Sequence, residues 1–132
     1  MSIRNSLRTL AAAGLVLAAV GVGAGTASAA GKDGWLTSGE LGLFCQGSQS
    51  NSVFDLYSTD EDFQDDYFVG SRSCSGHTTN DWTESFSNQD SKRWSVHTDW
   101  YGYGYGTYIN AGAKGDLSST YWNQLSSAYY NR

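Results

Sequence analysis

Short apolar and aromatic runs alternate with polar, glycine-rich segments through residues 39–132 of this 132-residue chain. Several runs place apolar residues at every second position, as in LGLFC, which begins at Leu41, and WSVHT, which begins at Trp94. Because successive side chains of a strand point to opposite faces, this period of two predicts β-strands. Gly, Ser, Asn and Asp recur between the runs as turn residues, and the chain contains no proline. Strands are predicted at residues 41–45, 53–57, 67–69, 94–98, 107–110 and 128–130.

The strand pattern occurs twice, and a similar segment closes each copy. The segments DWTES and NQLSS place a short acid or amide (Asp81, Asn123) four positions before a serine (Ser85, Ser127). This repeat indicates an internal duplication. It predicts an all-β double Greek-key sandwich: a single domain of residues 30–132 with units at about 39–87 and 93–131. The large residues expected to anchor its core are Trp82, Phe86, Trp94, Trp122 and Leu125.

The first 29 residues have the pattern of a secretory signal peptide. Arg4 and Arg8 precede an apolar run at residues 10–24, and Ala27-Ser28-Ala29 forms a cleavage signal. The alternative is a membrane anchor, but the run is short for a span and small residues follow it. We therefore expect an exported, extracellular protein without a membrane segment after processing.

The net negative charge of the chain limits the kinds of molecule that it is expected to bind. Thirteen acidic and eight basic residues give a formal charge of −5, and removal of Arg4 and Arg8 with the leader makes it −7. Such a domain repels nucleic-acid phosphates and anionic membranes, so neither is an expected partner. Cations and basic protein surfaces are better suited to it.

Cys45 and Cys74 are the two cysteines of the chain. In an exported protein two cysteines usually pair, which predicts a disulfide that stabilises the fold by on the order of 3 kcal/mol. The alternative is a zinc site that joins both thiolates to His77 and His97. Export and the absence of a Cys-x-x-Cys half favour the disulfide.

Three further features allow both a functional and a structural interpretation. The acidic run at residues 60–66 lacks the EF-hand pattern, so we expect a solvated loop. Tyr101, Tyr103 and Tyr105 form an aromatic platform if extended, but their alternation with glycine favours a bent hairpin. His97 lies two residues before Asp99, and the chain has no Gly-x-Ser-x-Gly elbow, so we expect a binding protein rather than an enzyme.

With these features in place, the sequence resembles the βγ-crystallin fold. More closely, it is similar to exported proteins of filamentous bacteria that are grouped with metalloproteinase inhibitors built on that fold. The resemblance covers essentially the whole mature chain. It rests on GELGLF at residues 39–44, on residues 80–85, 96–108 and 111–117, and on NQLSS at 123–127.

The resemblance implies calcium as the one candidate cofactor, bound weakly and not required. The crystallin-type motif is Asn/Asp-Asn/Asp-x-x-Ser/Thr-Ser, whose oxygen atoms suit calcium. Both copies depart from it, since Glu84 replaces a hydroxyl in the first and Trp122 replaces an acid or amide in the second. The alternative is that these side chains only hydrogen-bond turns. The candidate ligands are Asn80, Asp81, Glu84, Ser85, Asn123 and Ser126.

The resemblance also implies inhibition of an extracellular protease by a monomeric protein. A rigid loop that loses little entropy on binding suits this task, and the loop at residues 67–77 is the candidate if a Cys45–Cys74 bridge holds it. Its predicted contact residues are Phe68, Val69 and Cys74. A stoichiometric metallopeptidase inhibitor is therefore the leading function, with two alternatives: a calcium-binding or structural extracellular protein, and a wall- or carbohydrate-binding module that uses the three tyrosines.

Overall fold

The computed structural model describes residues 31–131, so the predicted signal peptide lies outside the described residues. These residues form seven strands in two antiparallel sheets. This confirms the all-β prediction. Within residues 31–131, no helix is both long enough and apolar enough to cross a membrane. The strands are β1 (Leu41–Gln46), β2 (Ser50–Leu56), β3 (Ser85–Asn88), β4 (Trp94–His97), β5 (Gly106–Ile109), β6 (Lys114–Asp116) and β7 (Ser127–Tyr130).

Each of the two sheets includes a contact between the first and the second unit. One sheet has the order β2-β1-β3-β6, so β6 of the second unit pairs with β3 of the first. The other sheet has the order β5-β4-β7, and Asp60 of the first unit pairs with Ala128 at its β7 edge. Each unit thus contributes to both sheets, as expected for two interlocked Greek keys.

The core lies between the sheets and follows the alternation seen in the sequence. Leu41 pairs with Leu56 and Leu43 with Phe54, so these four side chains point inward from β1 and β2. Trp94 is fully buried in β4 and donates from Nε1 to the Asp90 carboxylate at 3.1 Å. The other buried core side chains include Cys45, Phe63, Phe68, Val96, Ile109, Leu117, Leu125 and Ala128.

Two predicted elements and one predicted core residue are wrong. Residues 67–69 form no strand, because Phe68 turns into the core and only Tyr67 makes a bridge, to Thr78. Residues 112–117, where the sequence predicts a loop that ends at the apolar Leu117, contain β6. Trp82 is exposed and stacks on the His77 ring at 3.8 Å between centroids. Trp94 and Leu125 are buried as predicted, while Phe86 and Trp122 are half-buried.

The predicted disulfide is confirmed. Cys45 and Cys74 are joined, with their Cα atoms 6.6 Å apart, so neither thiolate is left for a zinc site. The bond connects β1 of the core to the loop that precedes the first Asn/Asp motif.

Candidate functional site

A loop of exposed residues lies between two fixed points next to the disulfide. Residues 69–73, with the sequence VGSRS, are all exposed. On one side, Phe68 is buried to 1% exposure and its N–H donates to the carbonyl of His77 at 2.9 Å. The Phe68 carbonyl in turn accepts from the N–H of Gly76 at 2.7 Å. The two ends of the loop are therefore held together by the backbone.

Asn51 braces the other side of the loop from the β1–β2 hairpin. Its Oδ1 accepts from the N–H of Cys74 at 3.1 Å, and its Nδ2 donates to Ser73 Oγ at 2.7 Å. Asn51 adopts a φ of 70°, a left-handed conformation that asparagine tolerates better than most residues. The sequence gives no indication of this brace beyond an asparagine that precedes the predicted strand at residues 53–57.

A groove of about 680 Å³ runs between this loop and the segment that precedes β1. Gly34, the exposed Trp35, Val69 and Arg72 line it together with residues 49–53 of the β1–β2 hairpin. A Cβ atom at Gly34 would lie 2.9 Å from the carbonyl oxygen of Val69, and Gly34 has a φ of +84°. A larger residue at this position would therefore displace Val69.

The three predicted contact residues differ in their exposure and in their contacts. Val69 is 42% exposed at the start of the loop. Phe68 is wrong as a contact residue, because its side chain is part of the core. Cys74 is half-buried, packs against the core and forms the disulfide. It therefore supports the loop rather than offering a contact surface.

The two Asn/Asp motifs meet as a reciprocal pair. Asp81 and Asn123 both have a positive φ, at 58° and 56°. The Asp81 N–H donates to the Leu125 carbonyl at 3.0 Å, and the Asn123 N–H donates to the Thr83 carbonyl at 2.8 Å. The duplication seen in the sequence is thus an approximate two-fold relation between the motifs in space.

The side chains of the two motifs are not equivalent. Glu84 accepts from Asn123 Nδ2 at 3.1 Å and from the N–H of Gly47 at 3.0 Å, so both of its carboxylate oxygens have protein donors. On the opposite half, Asp81 is exposed, and its two carboxylate oxygens accept longer bonds, of 3.3 Å from Ser126 Oγ and 3.2 Å from the Nδ2 of its neighbour Asn80. The Asp81–Ser126 half is consequently the more open to a cation.

Two of the candidate calcium ligands already have hydrogen-bond partners in the protein: Ser85 bonds to backbone groups and Asn80 to Trp100. Ser85 is fully buried, donates to the Gln46 carbonyl at 2.7 Å and accepts from the N–H of Gln49 at 2.8 Å. Asn80 Oδ1 accepts from Trp100 Nε1 at 3.2 Å. Ser85 therefore fixes the β1–β2 hairpin, which matches the structural alternative for this residue.

The raised pKa of Asp81 also distinguishes its half of the motif pair. Burial raises the pKa of the Asp81 carboxyl above its usual value, the hydrogen bond from Ser126 lowers it, and the charge of Asp99 raises it further. A cation bound at Asp81 would offset the repulsion from Asp99.

The acidic run differs from the solvated loop expected from the sequence. Asp60 is only 8% exposed, and Lys32 Nζ lies 2.9 Å from its carboxylate and 3.1 Å from that of Asp66. Carboxylate oxygens of Asp60, Asp65 and Asp66 lie within 4.8 Å of one another. The expectation is wrong for Asp60 and Asp66 because Lys32, far upstream in sequence, partly neutralises them.

This cluster predicts that stability falls as pH rises towards 8. Burial, reinforced by the Asp60 carboxyl, raises the pKa of Asp66 to about 7 despite the nearby Lys32. The folded state therefore binds a proton that the unfolded chain releases near pH 4, and the resulting stabilisation is lost as pH rises through 7. Burial also raises the pKa of Asp55 to about 7, so urea unfolding at pH 5, 6, 7 and 8 should give a negative slope that Asp66→Asn reduces but does not remove. Asp116→Asn, an exposed control outside the cluster, should keep the wild-type slope; equal slopes in all three proteins would contradict the assignment.

The tyrosine-rich segment is a bent hairpin, as the glycine alternation favoured. The Thr98 N–H donates to the Tyr105 carbonyl at 2.9 Å, and Tyr101 adopts a φ of 56° at the bend. Tyr101, Tyr103 and Tyr105 are all exposed, so they do not cover the sheet.

His97 and Asp99 do not form a pair suited to catalysis. His97 Nε2 lies 3.0 Å from Ser95 Oγ, and the ring packs edge-on against Tyr129. The Asp99 carboxylate accepts from the N–H of Trp100 at 2.9 Å, so it caps a short 3₁₀ turn.

Comparison with known proteins identifies the architecture. No family model matches the chain, and no curated protein matches it. A solved βγ-crystallin domain, described in connection with the evolution of the eye-lens fold, is 14% identical and has a TM-score of 0.59. The match covers 73% of this chain and 89% of that one. The βγ-crystallin of Ciona intestinalis is 20% identical with a TM-score of 0.53, and the match covers 70% of this chain and 99% of that one.

The chain has a βγ-crystallin fold. The sequence prediction of a crystallin-like double Greek key is thereby confirmed. At these identities the likeness extends to the fold alone, so function must be argued from the residues of this chain.

Proposed function

We propose that this protein is a secreted, stoichiometric inhibitor of extracellular metallopeptidases that acts through residues 69–73. One observation carries the proposal: these exposed residues lie between a buried Phe68 and a disulfide-bonded Cys74. A disulfide is typical of exported proteins, which supports an extracellular site of action.

The restraints on the loop explain how it would inhibit rather than serve as a substrate. The Phe68–His77 backbone bond, the Asn51 brace and the disulfide fix the loop before it binds, so association costs little conformational entropy. If a peptidase cleaved a bond within residues 69–73, the same restraints would hold both new ends in place. The product would then dissociate slowly and the peptidase would remain occupied.

The loop sequence suits a peptidase with an apolar specificity pocket. Val69 is the large apolar side chain exposed at the start of the loop, next to the groove. Gly70 and Ser71 follow it with little side-chain bulk, which lets a partner approach the backbone. Thermolysin-type metallopeptidases, which prefer apolar residues, are therefore the first class to test.

Substitution of Val69 by Asp is expected to abolish inhibition. The wild-type protein, titrated into a thermolysin-type peptidase, should reduce residual activity linearly to an endpoint near one to one. Val69→Asp should weaken binding by at least about 100-fold, because a charge would have to enter an apolar pocket. The matched control, Tyr103→Ala, removes a more exposed side chain outside the loop and should keep the wild-type endpoint. Full peptidase activity at large excess of wild type would refute inhibition of this class.

We propose calcium binding at Asp81 and Ser126 as a second candidate function, favoured by the asymmetry of the two motifs. The Glu84 half is closed by donors from Asn123 and Gly47, whereas Asp81 is exposed beside the hydroxyl of Ser126 and the charge of Asp99. Carboxylate and hydroxyl oxygens are suitable calcium ligands. We therefore expect at most one weak site per chain.

Calcium binding should depend on Asp81 and not on Glu84. Calorimetry at pH 7 should give a single weak site that Asp81→Ala removes and Glu84→Gln leaves within about twofold. Because the pKa of Asp81 is raised, protons should compete with calcium and weaken binding as pH falls. Loss of binding in Glu84→Gln with retention in Asp81→Ala would reverse the assignment.

A further inference from the structure

A further recess lies where the tyrosine hairpin meets the segment that precedes β7. Its volume is about 650 Å³. It is distinct from the groove beside Val69, since the two share no lining residue. The side chains that line it are Thr98, Tyr105, Thr120, Tyr121 and Gln124.

Hydrogen bonds hold the hydroxyl of Tyr121 and the backbone of Tyr105 in this recess. Tyr121 donates from its hydroxyl to the Gly106 carbonyl at 2.9 Å. The N–H of Tyr105 donates to Thr98 Oγ1 at 2.9 Å, and the Thr98 N–H donates to the Tyr105 carbonyl at 2.9 Å. The Tyr105 side chain is nevertheless 72% exposed. A rigid backbone thus presents a free aromatic face, which reduces the entropy lost on binding.

The chemistry of the lining selects an uncharged, hydroxyl-rich ligand. The lining residues are two tyrosines, two threonines and one glutamine, which together offer two aromatic rings, four hydroxyls and one carboxamide and carry no charge at neutral pH. An aromatic face packs on the C–H face of a pyranose ring, while hydroxyls and amides exchange hydrogen bonds with sugar hydroxyls. The acidic protein, at −5, disfavours anionic polysaccharides.

We propose that this recess binds an uncharged polysaccharide, with Tyr105 and Tyr121 as the stacking residues. Gln124 and Thr120, both exposed at the rim, would bind sugar hydroxyls. Thr98 Oγ1 accepts the bond from the Tyr105 N–H, and its hydroxyl proton would donate to a sugar oxygen. This site is separate from the peptidase loop, so one molecule can be retained on a cell-wall or plant polymer while its loop stays accessible.

The test is depletion of the oxidised, secreted protein from solution by cellulose and by chitin, two insoluble uncharged polymers. The wild type should bind at least one of them saturably. Tyr105→Ala should weaken binding about tenfold, in line with the loss of one aromatic stacking contact. The matched control is Tyr101→Ala, which removes a 57% exposed tyrosine that does not line the recess and should change binding by less than about twofold.

Three outcomes would overturn the proposal. The wild type fails to bind either polymer, Tyr101→Ala weakens binding as much as Tyr105→Ala, or Gln124→Ala and Tyr105→Ala both bind as wild type. Gln124→Ala is the second variant because its exposed side chain can be truncated without affecting the core. Peptidase titration of Tyr105→Ala separates the two functions, since its endpoint should equal that of wild type whichever way the polymer experiment ends.

Discussion

Replacement of Trp94 by alanine is expected to lower the free energy of unfolding by about 3–5 kcal/mol, the usual cost of removing a large buried aromatic side chain. Trp94 is fully buried in the central strand of its sheet, and its ring packs edge-on against Tyr130 at 5.6 Å. Truncation would leave a cavity and would also leave the Asp90 carboxylate without the indole donor. For a domain of about a hundred residues this is a large part of the total stability.

Urea unfolding followed by circular dichroism measures this effect. Trp35→Ala is the matched control, because it removes the same side chain from an exposed position and should change stability by less than about 0.5 kcal/mol. Trp94→Phe should fall between the two, since it keeps the ring contact with Tyr130 but not the hydrogen bond to Asp90. Similar losses in Trp94→Ala and Trp35→Ala would mean that the core is not centred on Trp94.

Substitution of both cysteines by serine is expected to cost about 3–4 kcal/mol of stability and to abolish inhibition. The bridge closes a sequence separation of 29 residues, and its loss restores conformational freedom to the unfolded chain. It also frees the Cys74 end of the loop, so Val69 would no longer be presented in one conformation.

The two effects of the disulfide can be separated by temperature. At a temperature where circular dichroism shows the Cys45→Ser/Cys74→Ser variant to be folded, its inhibition constant should still be at least about tenfold weaker than that of wild type, because a loop that has lost its covalent restraint must be ordered further on binding. Reduced wild-type protein serves as the control and should behave like the double variant. Undiminished inhibition by a folded, reduced protein would show that the bridge contributes stability alone.

The strands that the sequence predicted correctly are those whose signal is local. In β1 and β4 every second residue is apolar and buried, so the period of two is visible without knowledge of their partners. The duplication of the Asn/Asp motifs was also visible in the sequence, but the hydrogen bonds that pair them appear only in the structure. In contrast, β6 has the sequence KGD, with no apolar alternation, and is a strand only because β3 lies beside it.

The candidate loop was only partly predictable. Residues 67–69 are three apolar residues in a row, and such a run does not reveal which side chain points inward. The structure buries Phe68 and exposes Val69 because the backbone of Phe68 pairs with that of His77. The brace by Asn51 and the pairing of Lys32 with Asp60 are contacts between distant segments, and no local pattern encodes them.

Amide hydrogen exchange on the protein bound to a thermolysin-type metallopeptidase tests most directly whether residues 69–73 form the inhibitory surface. These exposed residues should exchange readily in the free protein and gain strong protection in the complex, while residues 101–105 of the tyrosine hairpin should exchange equally in both states. Unchanged exchange at 69–73, or protection confined to the hairpin, would contradict the loop assignment.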